Sequence, residues 1–241
     1  MGLGPTPQYL AQYNNYVLPG YVQSEDMEST INIASHYGAY LDGSDSEYVG
    51  LSNKSLNLSL KVWEQDYLSC KQQIELAATM IRSSKIFTNL YVQYTDRHYV
   101  ALAKSIKMSK SVPSSVRTLD YSVEFECKPW LVGETLHSIS SDTNEVGRTI
   151  ADGGWTPTVV TLTGNSVSGI VDWDGQSTGN IVTTGVTNMV IDTEAFTATM
   201  DAVNRNDLIT TKDYRLYVGP GRTIFTVDGS ATIQYYDRYY I

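Results

Sequence analysis

Apolar residues fall at every second position in two stretches of the N-terminal half. Leu56, Leu58, Leu60 and Val62 alternate with Asn57, Ser59 and Lys61. Leu119, Tyr121, Val123, Phe125 and Cys127 alternate with Asp120, Ser122, Glu124, Glu126 and Lys128. A period of two gives a strand one dry and one wet face, so both stretches are predicted as half-buried strands. Between them the period changes. Tyr67, Leu68, Ile74, Leu76, Ala77, Ala78, Met80 and Ile81 stand near helical spacing, with no Gly or Pro among them. That predicts one helix over roughly 65–83. Residues 86–94 and 98–108 read as a hairpin about Thr95-Asp96-Arg97. Pro129 cannot donate to a ladder and is expected to end the 119–128 strand.

Upstream, residues 30–41 read as extended, with a turn or loop at Asp42-Gly43-Ser44-Asp45. Residues 1–20 carry Gly2, Gly4, Pro5, Pro7 and Pro19. They read as an extended arm of the kind that orders against a partner or stays loose. From Leu131 to Ala151 the texture loosens, and Gly133 with the Ser138–Asn144 run suggests a change of domain. Beyond Trp155 the pattern predicts short strands at 158–163, 167–173, 180–185, 187–192, 195–200, 213–218, 222–227 and 231–240. Gly164-Asn165, Asp174-Gly175, Gly179-Asn180, Gly219-Pro220-Gly221 and Asp228-Gly229 read as the turns between them. Short, regularly spaced strands with such turns argue for an antiparallel sandwich. The expected fold class is mainly β with one helix. The expected organisation is an arm at 1–20, a first domain at 21–133 and a second at 134–241.

Charge narrows the partners. The net charge is −9, and residues after Gly133 hold six Lys/Arg against thirteen Asp/Glu. Affinity for nucleic acid comes from cations meeting phosphates, so an acidic surface does not grip it. Such a surface can keep the protein soluble, or line a channel through which DNA slides. There are eighteen Tyr against four Phe and four Trp. Tyr brings apolar area with a polar tip, which suits half-buried sheet surfaces and subunit contacts. Met1–Gly20 has no basic segment leading into an apolar run, and no stretch reaches the roughly 20 apolar residues of a membrane span.

Candidate chemistry is sparse. Cys70 and Cys127 each sit on the apolar side of their pattern and read as two buried thiols made in a reducing compartment. His36, His98 and His137 lack metal spacing and read as polar surface or turn residues. Asp172-Trp173-Asp174-Gly175 places two carboxylates on one face of a strand end. A calcium loop also needs a third acid and a closing Glu, which are missing, so an acidic turn is the simpler reading. The same pair lacks the second carboxylate element of a glycosidase. Trp155 and Trp173 suit either a sugar-stacking platform or a sandwich core or rim. No catalytic, cofactor-binding or metal-binding residue is expected, nor any cofactor, and the chain is not expected to be an enzyme.

Ordered motifs along most of the chain from about residue 30 carry a resemblance. In the N-terminal half these are Gly38-Ala39-Tyr40-Leu41-Asp42, the Leu56–Val62 strand and its following helix, Thr95-Asp96-Arg97-His98-Tyr99, and Tyr121–Trp130. In the C-terminal half they are Gly153-Gly154-Trp155-Thr156-Pro157, Val190-Ile191-Asp192-Thr193, Pro220-Gly221-Arg222-Thr223-Ile224 and the aromatic Tyr235–Tyr240 close. In order and spacing the chain resembles the distal tail proteins (Dit) of long-tailed, siphovirus-type bacteriophages. The arm at 1–20 has no place in that pattern. The resemblance implies an N-terminal belt domain, a β-sandwich or split barrel with one helix, and a C-terminal galectin-like sandwich. It further implies a homo-hexameric ring at the distal end of a phage tail, made in the host cytoplasm and carried in the virion. The ring's neighbours would be the tail tube protein, the tail-tip hub and a receptor-binding protein, with DNA passing through without specific binding. The alternative is a carbohydrate-binding module for a host surface glycan.

Overall fold

The computed structural model describes residues 10–28, 31–37, 44–92, 96–108, 117–146, 155–172, 175–211, 215–219 and 221–240. Several sequence readings therefore lie outside the described residues: the arm before residue 10, Gly38–Asp42, Thr95, Gly153-Gly154, Trp173-Asp174 and Pro220. The chain divides into two compact units, Met1–Leu131 and Val132–Tyr240. The fold is mainly antiparallel β, with one α-helix among the described residues.

The first unit is built on the period-two stretches. They form β6 (Lys54–Trp63) and the first part of β9 (Thr118–Val146), paired antiparallel. The register sets Leu56 opposite Phe125, Leu58 opposite Val123, Leu60 opposite Tyr121 and Val62 opposite Leu119. All eight are buried. The other face pairs Ser55 with Glu126, Asn57 with Glu124, Ser59 with Ser122 and Lys61 with Asp120. One residue of slip would exchange these faces, so hydrophobic burial fixes the register. β3 (Tyr21–Glu28) pairs with β6 on its other side. Next to β9 come β8 (Arg97–Met108) and β7 (Thr88–Val92). β4 (Ile31–Tyr37) and β5 (Ser44–Leu51) form a separate hairpin.

The helix α1 (Tyr67–Ser83) starts where the sequence provides a cap, because the Asp66 carboxylate accepts the Ser69 amide at 2.8 Å. Its buried stripe is Cys70, Ile74, Ala77 and Ile81, facing β6 and β8. Residues 11–18 depart from the arm reading. Ala11–Tyr13 (β1) pairs with β7 and with Tyr16–Val17 (β2), and Ala11, Tyr13 and Leu18 are buried. Tyrosine explains the difference. The Tyr13 ring packs 5.2 Å from Phe125, while its hydroxyl donates to Ser84 Oγ and accepts from the Ala103 amide, both at 3.2 Å. Tyr121 hydroxyl donates to Pro19 O at 2.8 Å. The apolar bodies enter the core and each polar tip finds a partner.

Pro129 does not end its strand; β9 continues to Val146. What ends there is one partnership. The ladder with β6 stops at Lys54 opposite Cys127, and a residue without an N–H is tolerated where pairing changes hands.

In the second unit, predicted pairs of short strands fuse into long bent ones. β11 (Val159–Val171) unites 158–163 with 167–173. β12 (Ser177–Asp192) unites 180–185 with 187–192, and β16 (Thr223–Tyr240) unites 222–227 with 231–240. Gly164-Asn165 is thus a bulge within β11, and Asp228-Gly229 runs through β16 opposite it; neither is a hairpin turn. Gly164 and Gly229 face each other at φ 148° and 124°. A Cβ on either would come within 2.2–2.3 Å of a carbonyl oxygen on the facing strand. Bulges of this kind bend strands. Residues on both sides of the bend, such as Val160, Leu162 and Ile233 with Val167, Ile181 and Phe225, enter one core. β13 (Thr197–Met200) and β14 (Val203–Asn204) extend the sheet beyond β12, and β10 (Thr156–Pro157) pairs with β15 (Tyr217–Val218).

Candidate functional site

In the second unit a cleft of about 390 Å³ is lined by Trp155, Gln176, Ser177, Thr178, Tyr217 and Arg238. Four separate stretches supply it: the residue before β10, the start of β12, β15, and the end of β16. Trp155 and Tyr217 are half-buried, and Gln176 and Ser177 are exposed. Arg238 is paired with Glu194, its side chain only 12% exposed. Thr178 is buried, and its hydroxyl has no hydrogen-bond partner among the described residues. That oxygen lies over Gly169, where a Cβ would be only 2.1 Å away.

In the same unit a polar network ties three segments. Thr193 is fully buried; its hydroxyl accepts from the Thr158 amide at 2.9 Å. Its single proton is shared between the Thr158 and Leu216 carbonyls at 2.9 and 3.0 Å. Thr158 Oγ1 also donates to Leu216 O at 2.9 Å.

In the first unit the carboxylates on the wet face of β9 are met by side chains of neighbouring segments. Glu126 binds Lys104 and accepts from Asn53 Nδ2 at 2.6 Å, and Lys61 lies 3.5 Å from Asp120. Hydrogen bonds from Lys104 and Asn53 hold the Glu126 carboxyl below the usual carboxylate range. On α1, Leu76 and Met80, one turn apart, are exposed, as are Trp63 and Ile86 near the helix ends.

The singled-out residues scatter. Asp172 lies 3.5 Å from Arg222, in the turn that Gly175 closes on Val171 O; Trp173 and Asp174 lie outside the described residues. His137 bonds Asp237 at 3.0 Å and stacks on Tyr235. His98 is a correction: it is not a surface or turn residue but sits within β8, 8% exposed, 5.0 Å from the Tyr91 ring. His36 lies in β4. Both thiols are buried and unbridged, and burial pushes Cys127 up to about 12 and raises Cys70 as well. Of the cleft residues only Trp155 was flagged by the sequence. Gln176, Tyr217 and Arg238 are far apart in the chain, and no local pattern links them.

The chain is similar to a solved protein, the Dit of phage SPP1. The TM-score is 0.77 at 11% identity, covering 96% of this chain and 99% of that one. The fold is that of a Dit protein. SPP1 Dit is described as a paradigm of the hub adsorption apparatus in phages infecting Gram-positive bacteria. A chain of the phage P2 baseplate, in its activated conformation with calcium, matches at TM-score 0.49 and 10% identity, covering 95% and 97%. A chain of the anti-feeding prophage baseplate covers 53% of this chain and 94% of its own at TM-score 0.32 and 14% identity. No protein-family model and no curated protein sequence matches the chain. The Dit fold is therefore shared at a sequence distance where individual side chains are not.

Proposed function

We propose that this chain is a non-enzymatic structural protein of a phage tail tip, present in the virion. Six copies close into a ring between the tail tube and the host-recognition apparatus, leaving a passage for DNA. The observation that carries this is the Dit fold across nearly the whole length of both chains. Physical features of the chain support it. A closed ring uses two different patches of each subunit, one on either side. The exposed Leu76 and Met80 on α1 and Trp63 and Ile86 beside it are surfaces that assembly would cover. Lys61 on β6 and Lys104 on β8 pair with carboxylates of β9, leaving little to hold a phosphate. That face suits a channel that DNA traverses without sticking. We assign residues 21–133 to the ring-building domain and 134–241 to the outer domain. The outer domain braces the tip and a receptor-binding protein.

The test is location. Phage particles carrying an epitope-tagged copy are purified, labelled with gold and imaged. Gold at the tail end opposite the capsid is the expected result. Absence of the chain from purified particles, by mass spectrometry, overturns the reading.

A further inference from the structure

We infer that the outer face of α1 seats residues 1–9 of a neighbouring copy of this chain. The inference rests on the ring reading and names two patches that such a ring would join. The helix face comes first. Leu68, Leu76 and Met80 are 60%, 51% and 44% exposed, although α1 already buries Cys70, Ile74, Ala77 and Ile81 on its other side. At about 100° per residue, Leu68, Gln72, Leu76, Thr79, Met80 and Ser83 fall within a sector roughly 120° wide. No charged residue lies in that sector; Lys71, Glu75 and Arg82 stand together beside it. The Thr79 and Ser83 hydroxyls donate back to the Glu75 and Met80 carbonyls, at 3.0 and 2.6 Å. A helix with a second apolar face needs a second partner.

Charge then selects the occupant. A charged side chain buried against that face would lack a partner, so an uncharged segment fits it. Met1–Ser24 carry no charged side chain. From Ala11 onward that stretch is taken up by β1, β2, β3 and the turns between them, which leaves residues 1–9. Leu3, Pro5, Pro7 and Tyr9 give these residues apolar surface, and the two prolines bias the backbone to extended forms, so less entropy is lost on docking. Length fits as well. Residues 1–9 reach roughly 30 Å when extended, and the 17 residues of α1 span about 25 Å. Direction favours a neighbour over the same copy. Tyr13 lies opposite Leu90 and Ala11 opposite Val92, so toward residue 10 the chain runs away from the 84–87 link that leaves α1. Leu10, at the root of the arm, is exposed. An arm on one copy and a helix face on the next are two different patches, as closure by rotation requires.

The experiment is photo-crosslinking of the assembled full chain. The photoreactive p-benzoylphenylalanine takes the place of the exposed Leu76, and copies grown on light and heavy nitrogen are mixed before assembly. The expected result, by peptide mass spectrometry, is a cross-link from position 76 to residues 1–9 that joins light copies to heavy ones. Light scattering on the same sample separates this inference from the ring reading. A sixfold mass with cross-links to another segment, to the arm of the same copy only, or to nothing overturns the inference and leaves the ring standing. A monomer overturns both. A chain lacking residues 2–9 retains β1 and should half-dissociate at a concentration roughly tenfold higher or more. Leu76→Ser, on the exposed face, should shift dissociation in the same direction. An unchanged dissociation midpoint in either variant also overturns the inference.

Discussion

Thr193 joins three segments through one buried hydroxyl. Thr193→Val keeps the shape but leaves the Thr158 amide without its acceptor and removes a donor shared by two carbonyls. The expected loss is about 1–3 kcal/mol in urea unfolding, the cost of unsatisfied buried groups; an unchanged midpoint would show that the network contributes nothing. Glu126 makes a pH prediction. Its carboxyl is held below the usual range in the folded chain, so the unfolded state binds the proton first as pH falls. Its contribution is present above the ordinary carboxylate pKa and is lost as pH drops through the lowered folded value. Glu126→Gln should therefore lower stability modestly near neutrality and change little at acid pH, which flattens the acid limb of stability against pH. A variant with the same acid limb as the parent would show that Lys104 and Asn53 do not favour the charged form.

At the scale of elements, glycine and the left-handed turns decide the second unit. Gly229→Ala should cost more than about 1 kcal/mol, because φ is 124° and the Thr163 carbonyl stands 2.3 Å from the new Cβ. Ala202 presents the reverse case. It is exposed at φ 62° in the turn between β13 and β14. Ala202→Gly should gain a few tenths to about 1 kcal/mol by relieving the left-handed conformation. Thermal unfolding of the two variants checks both signs together. The same positions show what a sequence can reveal. Leu56–Val62, Leu119–Cys127 and the Cys70–Ile81 stripe were legible because period and burial are local. Pro129, Gly164 and Asp228-Gly229 were not, because each residue type marks either an interruption of the strand or a local irregularity that the strand runs through. Only the strand across the sheet decides between them. The Tyr13 and Tyr121 anchors that draw residues 11–19 into the first unit were hidden for a related reason: their hydrogen-bond partners lie 71 to 102 positions away.

For the whole molecule, pattern and composition reached the mainly β class, and ordered weak motifs reached the Dit resemblance. The cleft escaped both, since its lining comes from four distant stretches and only Trp155 carried a signal. Fold similarity at 11% identity fixes architecture and leaves assembly to be measured. The central claim is that six copies of the chain close into a ring. Its most direct test is the solution mass of the purified protein by light scattering after size exclusion, with negative-stain images of the same peak. The account predicts a particle six times the 26.7 kDa chain, ring-shaped in projection. A monomer that persists across concentration, with no ring in the images, would contradict it.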